Sequence, residues 1–230
     1  MSDELFTFTD EDGEFLVKTA RKAIIEEIKN KNKLSPPRNT PNSLYEKFGV
    51  FVTLNRKEGH QLRGCIGYPL PIKPLIEATI EVAIQAATQD PRFPSVQLYE
   101  AENEIVVEVS VLTRPTIIEV DKPEDYPKHV HIGEDGLIVE RGYNAGLLLP
   151  QVATEWEMDS EEFLSHCCLK AGLPPDNWLT KDIKVKKFKA EIFAEEEPNG
   201  QIRRKNIKKS MDLEDLSNTK RSRPRTRQKD

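Results

Sequence analysis

The sequence predicts an α+β protein built on a mostly antiparallel sheet flanked by helices. Three observations carry that expectation. Stretches with apolar residues at helical spacing interleave with stretches that alternate apolar and polar. Several links between them are too short for the right-handed crossovers that parallel strands require, so neighbouring strands are expected to run antiparallel. Over 230 residues, 37% hydrophobic content suffices for a sizeable core. The sequence contains no run of about 18 or more uncharged apolar residues, so no membrane span is expected.

The elements follow in chain order. Glu11 to Lys29 carries Phe15, Leu16, Ala20, Ala23, Ile24 and Ile28 at helical spacing and reads as an amphipathic helix. Ser35-Pro36-Pro37-Arg38-Asn39-Thr40-Pro41 is a loop, because its prolines remove backbone donors and fix φ. Gly49 to Leu54 and Gln61 to Ile66 are β-rich, and Asn55-Arg56-Lys57-Glu58-Gly59 between them supplies turn chemistry, so a hairpin is predicted. Leu75 to Thr88 is a second helix, with Pro74 at its start. Asp90-Pro91-Arg92-Phe93-Pro94 breaks the chain direction. Glu104 to Leu112 then alternates with a mixed second face and reads as a central strand. Thr116–Val120 and Gly136–Glu140 are β-prone. Asp159 to Ala171 is a helix, with Asp159 and Glu162 as a capping box and Gly172 as its stop. Ile183 to Phe193 is a last strand whose alternation slips by one residue, which predicts a bulge.

Charge divides the chain unevenly. The net charge is −5, yet residues 198–230 hold eleven basic against four acidic residues, leaving the body, 1–197, strongly acidic. With few large apolar residues, 198–230 is expected to stay unfolded. It reads either as a solubilising extension or as an arm for weak contact with nucleic acid or another acidic partner. The start, Met1-Ser2-Asp3-Glu4-Leu5-Phe6, has no apolar stretch of a signal peptide. Three cysteines, two of them adjacent at Cys167 and Cys168, make no disulfide framework and suit a reducing, cytoplasmic setting.

Leu62-Arg63-Gly64-Cys65-Ile66-Gly67 is the most informative stretch for chemistry. Gly64 and Gly67 flank a cysteine at a strand end, where glycine marks special backbone geometry or close approach. The helix start after Pro74 offers free N–H groups, and Arg63 a forked donor, so together they could hold an anion. Cys65 reads as a nucleophile if a cation or helix end stabilises its thiolate, and as a small buried hydrophobe otherwise. Asp90 and Arg92 sit in a proline-bounded turn that either aims Arg92 at a ligand or merely ends a helix. Glu108 lies in an otherwise apolar strand as either a candidate acid/base or a solvated edge residue. His129 and His131 form at most half a metal site, so no metal is expected. No nucleotide, dinucleotide or hydrolase signature is present, and no cofactor is assigned.

With Phe51-Val52-Thr53-Leu54 before it, the Leu62–Gly67 stretch resembles the signature of the AMMECR domain family, in its prokaryotic branch. Asp90-Pro91-Arg92-Phe93-Pro94, Val107-Glu108-Val109-Ser110-Val111-Leu112 and Gly146-Leu147-Leu148-Leu149-Pro150-Gln151-Val152-Ala153 extend the resemblance over about residues 12–195. The resemblance implies two subdomains within 1–197, with the Cys65 stretch near a groove between them. It also implies association with a radical-SAM protein and a dioxygenase-like protein in a modification pathway, without naming an activity. The expectation is a cytoplasmic protein that binds an anionic small molecule or nucleotide-like group in that groove. Arg63, Gly64, Gly67, Asp90 and Arg92 would line the site, and Cys65 and Glu108 would be its catalytic candidates. The rival readings are a non-catalytic protein-interaction module and a nucleic-acid-associated factor that uses the basic segment.

Overall fold

The computed structural model describes residues 8–205, so most of the basic segment, 206–230, lies outside the described residues. Helix α1 (Asp10–Asn30) starts at a capping box, in which Thr9 Oγ1 accepts the Asp12 N–H and the Asp12 carboxylate accepts the Thr9 N–H. Strands β1 (Gly49–Arg56) and β2 (Leu62–Tyr68) form the expected hairpin, turned by left-handed Gly59 and His60. Helix α2 (Leu75–Thr88) follows with the predicted bounds. A short α3 (Leu98–Asn103) leads into β3 (Ile105–Leu112), buried along its whole length as the mixed pattern implied.

Of the β-prone stretch Thr116–Val120, only β4 (Thr116–Ile117) pairs, because Ile118 turns into a core instead. Beyond it come β5 (Asp135–Arg141), β6 (Asn144–Leu148), α4 (Pro150–Glu155), α5 (Ser160–Lys170), β7 (Lys184–Glu195) and β8 (Ile202–Lys205). Asp159 caps α5 and exchanges bonds with Glu162, and Gly172 takes φ 72° just past its end.

The sheet order is β2-β1-β3-β7-β5-β6, with β4 and β8 also on β7, and every ladder is antiparallel. Strand β7 is the spine. Its first half pairs with β5 and β4, its second half with β3 and β8. The slip in its alternation falls between Val185 and Phe188, which bury opposite faces of β7 in different clusters; the ladders to β3 and β5 run without a register shift, so the predicted bulge is not formed. Strand β8 lies beyond the boundary drawn at 197. Charge counting hides it, because an edge strand needs backbone ladder bonds rather than apolar content.

Two main cores sit along this sheet. Val50, Val52 and Leu54 of β1 and Val107, Val109 and Val111 of β3 face α1 and α2. Leu137, Val139 and Val185 pack with Phe163, Leu164, Cys167 and Cys168 of α5, where both cysteines serve as packing residues. A smaller cluster of Leu112, Ile138 and Phe188, flanked by Phe51, Leu147 and Leu149, lies where the curled sheet folds toward itself.

Candidate functional site

Strand alternation decides which side chains share a surface. Since even-numbered residues of β1 and odd-numbered residues of β3 face the helices, Phe51, Thr53, Glu108 and Ser110 face the other way. Register then aligns them in two adjacent rows. One row runs Cys65, Thr53, Glu108, Ala194, Arg203; the next runs Gly67, Phe51, Ser110, Ile192, Lys205. Cys65 and Glu108, 43 positions apart in sequence, thus flank Thr53 on one face.

Thr53 Oγ1 donates to Cys65 Sγ at 3.4 Å. Burial pushes the thiol up from its ordinary value, and the Thr53 hydrogen bond and the Arg92 charge only partly oppose that, so Cys65 is a thiol at neutral pH. The Cys65 main chain faces the free edge of the sheet, and Asp90 and Arg92 close it. Asp90 Oδ2 accepts the Cys65 N–H at 2.8 Å, and Arg92 Nη2 donates to the Cys65 carbonyl at 3.3 Å. The two side chains also pair with each other, at 3.0 Å through Nε and 2.7 Å through Nη2. That pairing, with the N–H groups of Cys65 and Arg92, holds the Asp90 carboxyl down to about 2. Asp90 is buried, whereas 53% of the Arg92 side chain remains exposed and, among the described residues, no hydrogen bond engages its Nη1.

Glu108 is covered, and Lys205 Nζ reaches its Oε2 at 2.6 Å. Glu155, the last residue of α4, feels both charges; partial burial first and the Glu108 carboxylate second push its own carboxyl up. Helix α4 itself packs against β5.

Arg63 does not join this group. The register shift between Leu54 and Asn55 leaves it as the extra residue of β2, and it is buried with a bidentate pair to Glu100 at 2.6 and 3.0 Å. Burial raises the Glu100 carboxyl, and the guanidinium outweighs it, holding the group below the usual range. Phe93, half-buried rather than plugged into a core, lies between Arg63 and Arg92, 6.0 and 5.4 Å from their guanidinium carbons. Arg63 thus backs the turn that carries Arg92, and its charge is spent on Glu100.

The helix start after Pro74 is not part of the site either. The Leu75 N–H already donates to the Glu46 carbonyl at 2.8 Å. Gly64 lies against Ala86, at the other end of α2, where a Cβ would come within 2.2 Å of the Ala86 carbonyl oxygen. A 14-residue helix is about 20 Å long. Its negative end is the one beside the cysteine, and that end disfavours an anion. Gly67 serves close packing too, under the ring of Phe51.

His131 Nδ1 lies 3.1 Å from buried Asp135, a local pair. Among the described residues no group of three or more His, Cys, Asp or Glu could hold a metal, and no helix is long and apolar enough to cross a membrane. Sequence reasoning missed Thr53, Glu100, Glu155 and Lys205. Thr53 was within reach, since placing the hairpin turn fixes the register that sets it opposite Cys65; the other three have no local signal.

Comparison with known proteins agrees with this architecture. The family model AMMECR1 matches residues 17–193. A protein of Pyrococcus abyssi is 58% identical over 201 residues, covering 86% of this chain and 97% of its own. One from Methanopyrus kandleri is 52% identical over 199 residues, covering 86% and 95%. The crystal structure of an uncharacterised protein from Pyrococcus horikoshii superposes with a TM-score of 0.84 at 57% identity, over 87% of this chain and 100% of that one.

Proposed function

The chain belongs to the AMMECR1 family, and from that premise we propose that it binds an anionic small molecule or nucleotide-like group in the hollow beside Cys65. The observation that carries the reading is the convergence of Cys65, Thr53 and Glu108 in one row, with the half-exposed Arg92 held at the edge by Asp90. Arg92 anchors the anion through its free Nη1 edge, since Asp90 occupies only the opposite side of the fork. Glu108 is the acid/base candidate and Cys65 the nucleophile candidate. For Cys65 to attack, its thiol must first give up a proton, and a bound ligand that brings Glu108 or another base within reach would permit that. Radical-SAM and dioxygenase-like proteins are the partner classes that the family resemblance suggests for such chemistry.

A second reading has one observation in its favour. The Cys65 thiol is raised, not lowered, and its nearest cation is committed to Asp90. A non-catalytic module, with Cys65 as a wall of the groove, needs nothing more.

Calorimetric titration with pyrophosphate and with AMP tests the site. Arg92→Ala should weaken whichever probe binds by at least about tenfold, the loss of one charge-assisted contact. Arg63→Ala should leave that affinity unchanged. Absence of binding by the wild type, or equal loss in both variants, overturns the anion site. Unaltered reaction of a bound ligand in Cys65→Ser and Glu108→Gln would leave the module reading standing.

A further inference from the structure

The proline-rich loop after α1 and the first half of α2 enclose a cleft of about 310 Å³, at the small end of the range in which proteins hold small molecules. Leu34 and Pro36 of the loop and Ile80 of α2 give it apolar walls. Both walls are fixed in advance. Prolines restrict the loop, Thr40 closes a turn onto the Pro37 carbonyl through its N–H at 3.0 Å and its hydroxyl at 2.7 Å, and Leu34 packs on the core beneath α1 and α2. On the α2 side, Glu81 Oε1 accepts the Tyr68 hydroxyl at 2.6 Å and Oε2 accepts Lys73 Nζ at 2.5 Å. The cleft also holds charges that the chain does not settle within itself. Lys33 Nζ stands 3.7 Å from the same Oε2, so two ammonium groups converge on one carboxylate oxygen. Lys73 first and the Tyr68 hydroxyl second hold the Glu81 carboxyl below its ordinary value, and Lys33 is left as a surplus cation. Glu77, one turn before Glu81 on α2, lines the same cleft and makes no hydrogen bond or ion pair among the described residues.

We propose that this cleft binds a free α-amino acid with an apolar side chain, Lys33 taking its carboxylate, Glu77 its ammonium, and Leu34, Pro36 and Ile80 its side chain. A ligand of one sign would satisfy one surplus charge and confront the other. A zwitterion answers both, with charge-assisted hydrogen bonds at each end. In a peptide the two charges move apart by about 3.3–3.6 Å for every added residue, so the free amino acid is the form that keeps both beside one small cleft. The site is separate from the hollow at Cys65. Gly64 packs against Ala86, about 14 Å along α2 from Glu77 at 1.5 Å per residue, and Arg92 takes no part, so the inference does not rest on the anion reading.

The test titrates the full chain with L-leucine, with 4-methylpentanoate, which lacks the ammonium, and with 3-methylbutylamine, which lacks the carboxylate, all at equal ionic strength. The methyl resonances of Leu34 and Ile80 are followed by NMR. Leucine should shift both along a saturating curve, and each half-molecule should bind at least about tenfold more weakly, the loss of one charge-assisted contact. Glu77 and Lys33 are exposed, so their variants keep the fold. Glu77→Gln should weaken leucine and 3-methylbutylamine by about tenfold or more and leave 4-methylpentanoate alone. Lys33→Gln should weaken leucine and 4-methylpentanoate and leave 3-methylbutylamine alone. Arg92→Ala should leave leucine binding unchanged. No saturable shift with leucine, a half-molecule that binds as tightly as leucine, or leucine affinity indifferent to either charge variant would each overturn the proposal. Loss of leucine binding in Arg92→Ala would overturn it too, by moving the amino acid to the Cys65 hollow. Pyrophosphate or AMP binding bears on that hollow alone, so either reading can fail without the other.

Discussion

Asp90 shows at the residue scale how a short motif acts through backbone as well as charge. Its carboxylate accepts the Cys65 N–H, accepts the Arg92 N–H two residues on, and pairs with the Arg92 fork. A carboxyl held at about 2, against an ordinary 3.8, binds its proton more weakly folded than unfolded. Its contribution is therefore present above about pH 4 and is lost as pH falls through 2, amounting to roughly 2 kcal/mol. Asp90→Asn should cost about that much in urea midpoint at pH 6, and the gap to wild type should close near pH 2. A gap of the same size at both pH values would mean that the charge is not what matters. Residue types had marked Asp90, Arg92 and Glu108 for attention. Neither the edge closure by Asp90 and Arg92 nor the diversion of Arg63 to Glu100 could be read from them, because both depend on which strand lies at the edge and where the register slips.

Elements were legible wherever periodicity was long. Helix α2 matched its predicted bounds, and the hairpin and β3 came within one or two residues. Helices α3 and α4 and strands β6 and β8 were not anticipated, since six residues or fewer carry too little pattern to separate from loop. The contact between β2 and α2 gives the element-scale prediction. A methyl at Gly64 meets backbone, the Ala86 carbonyl, and backbone cannot swing aside as a side chain can. Gly64→Ala should destabilise by about 1–3 kcal/mol, the usual range for overpacking. It should also speed Cys65 alkylation by loosening β2. A neutral Gly64→Ala in thermal denaturation would show that α2 yields at no cost. Because Gly64 packs in this way, its place beside Cys65 reflects close approach of strand and helix and requires no ligand.

At the scale of the whole molecule, the first helix is tied to the central strands β3 and β7 through one buried ion pair. Arg21 of α1 pairs with Glu195 at the end of β7 and also donates to the carbonyls of Ala101 and Ile105, while Glu195 Oε2 accepts the Val107 N–H. Removing one partner strands a buried charge, so Arg21→Ala should cost about 3–5 kcal/mol. The urea midpoint reads that loss, and a change below about 1 kcal/mol would reduce the pair to an ordinary surface contact. By itself the sequence determined the fold class, the family, the longer helices and strands, and the short set of residues worth suspecting, because periodicity, turn chemistry and motif are local and survive in one dimension. Only the tertiary structure decided that Cys65, Thr53, Glu108 and Lys205 share a face, that Arg63 is spent elsewhere, and that the helix end beside the thiol is the negative one. Those outcomes depend on register, strand order and partner choice, which arise from distant segments packing together.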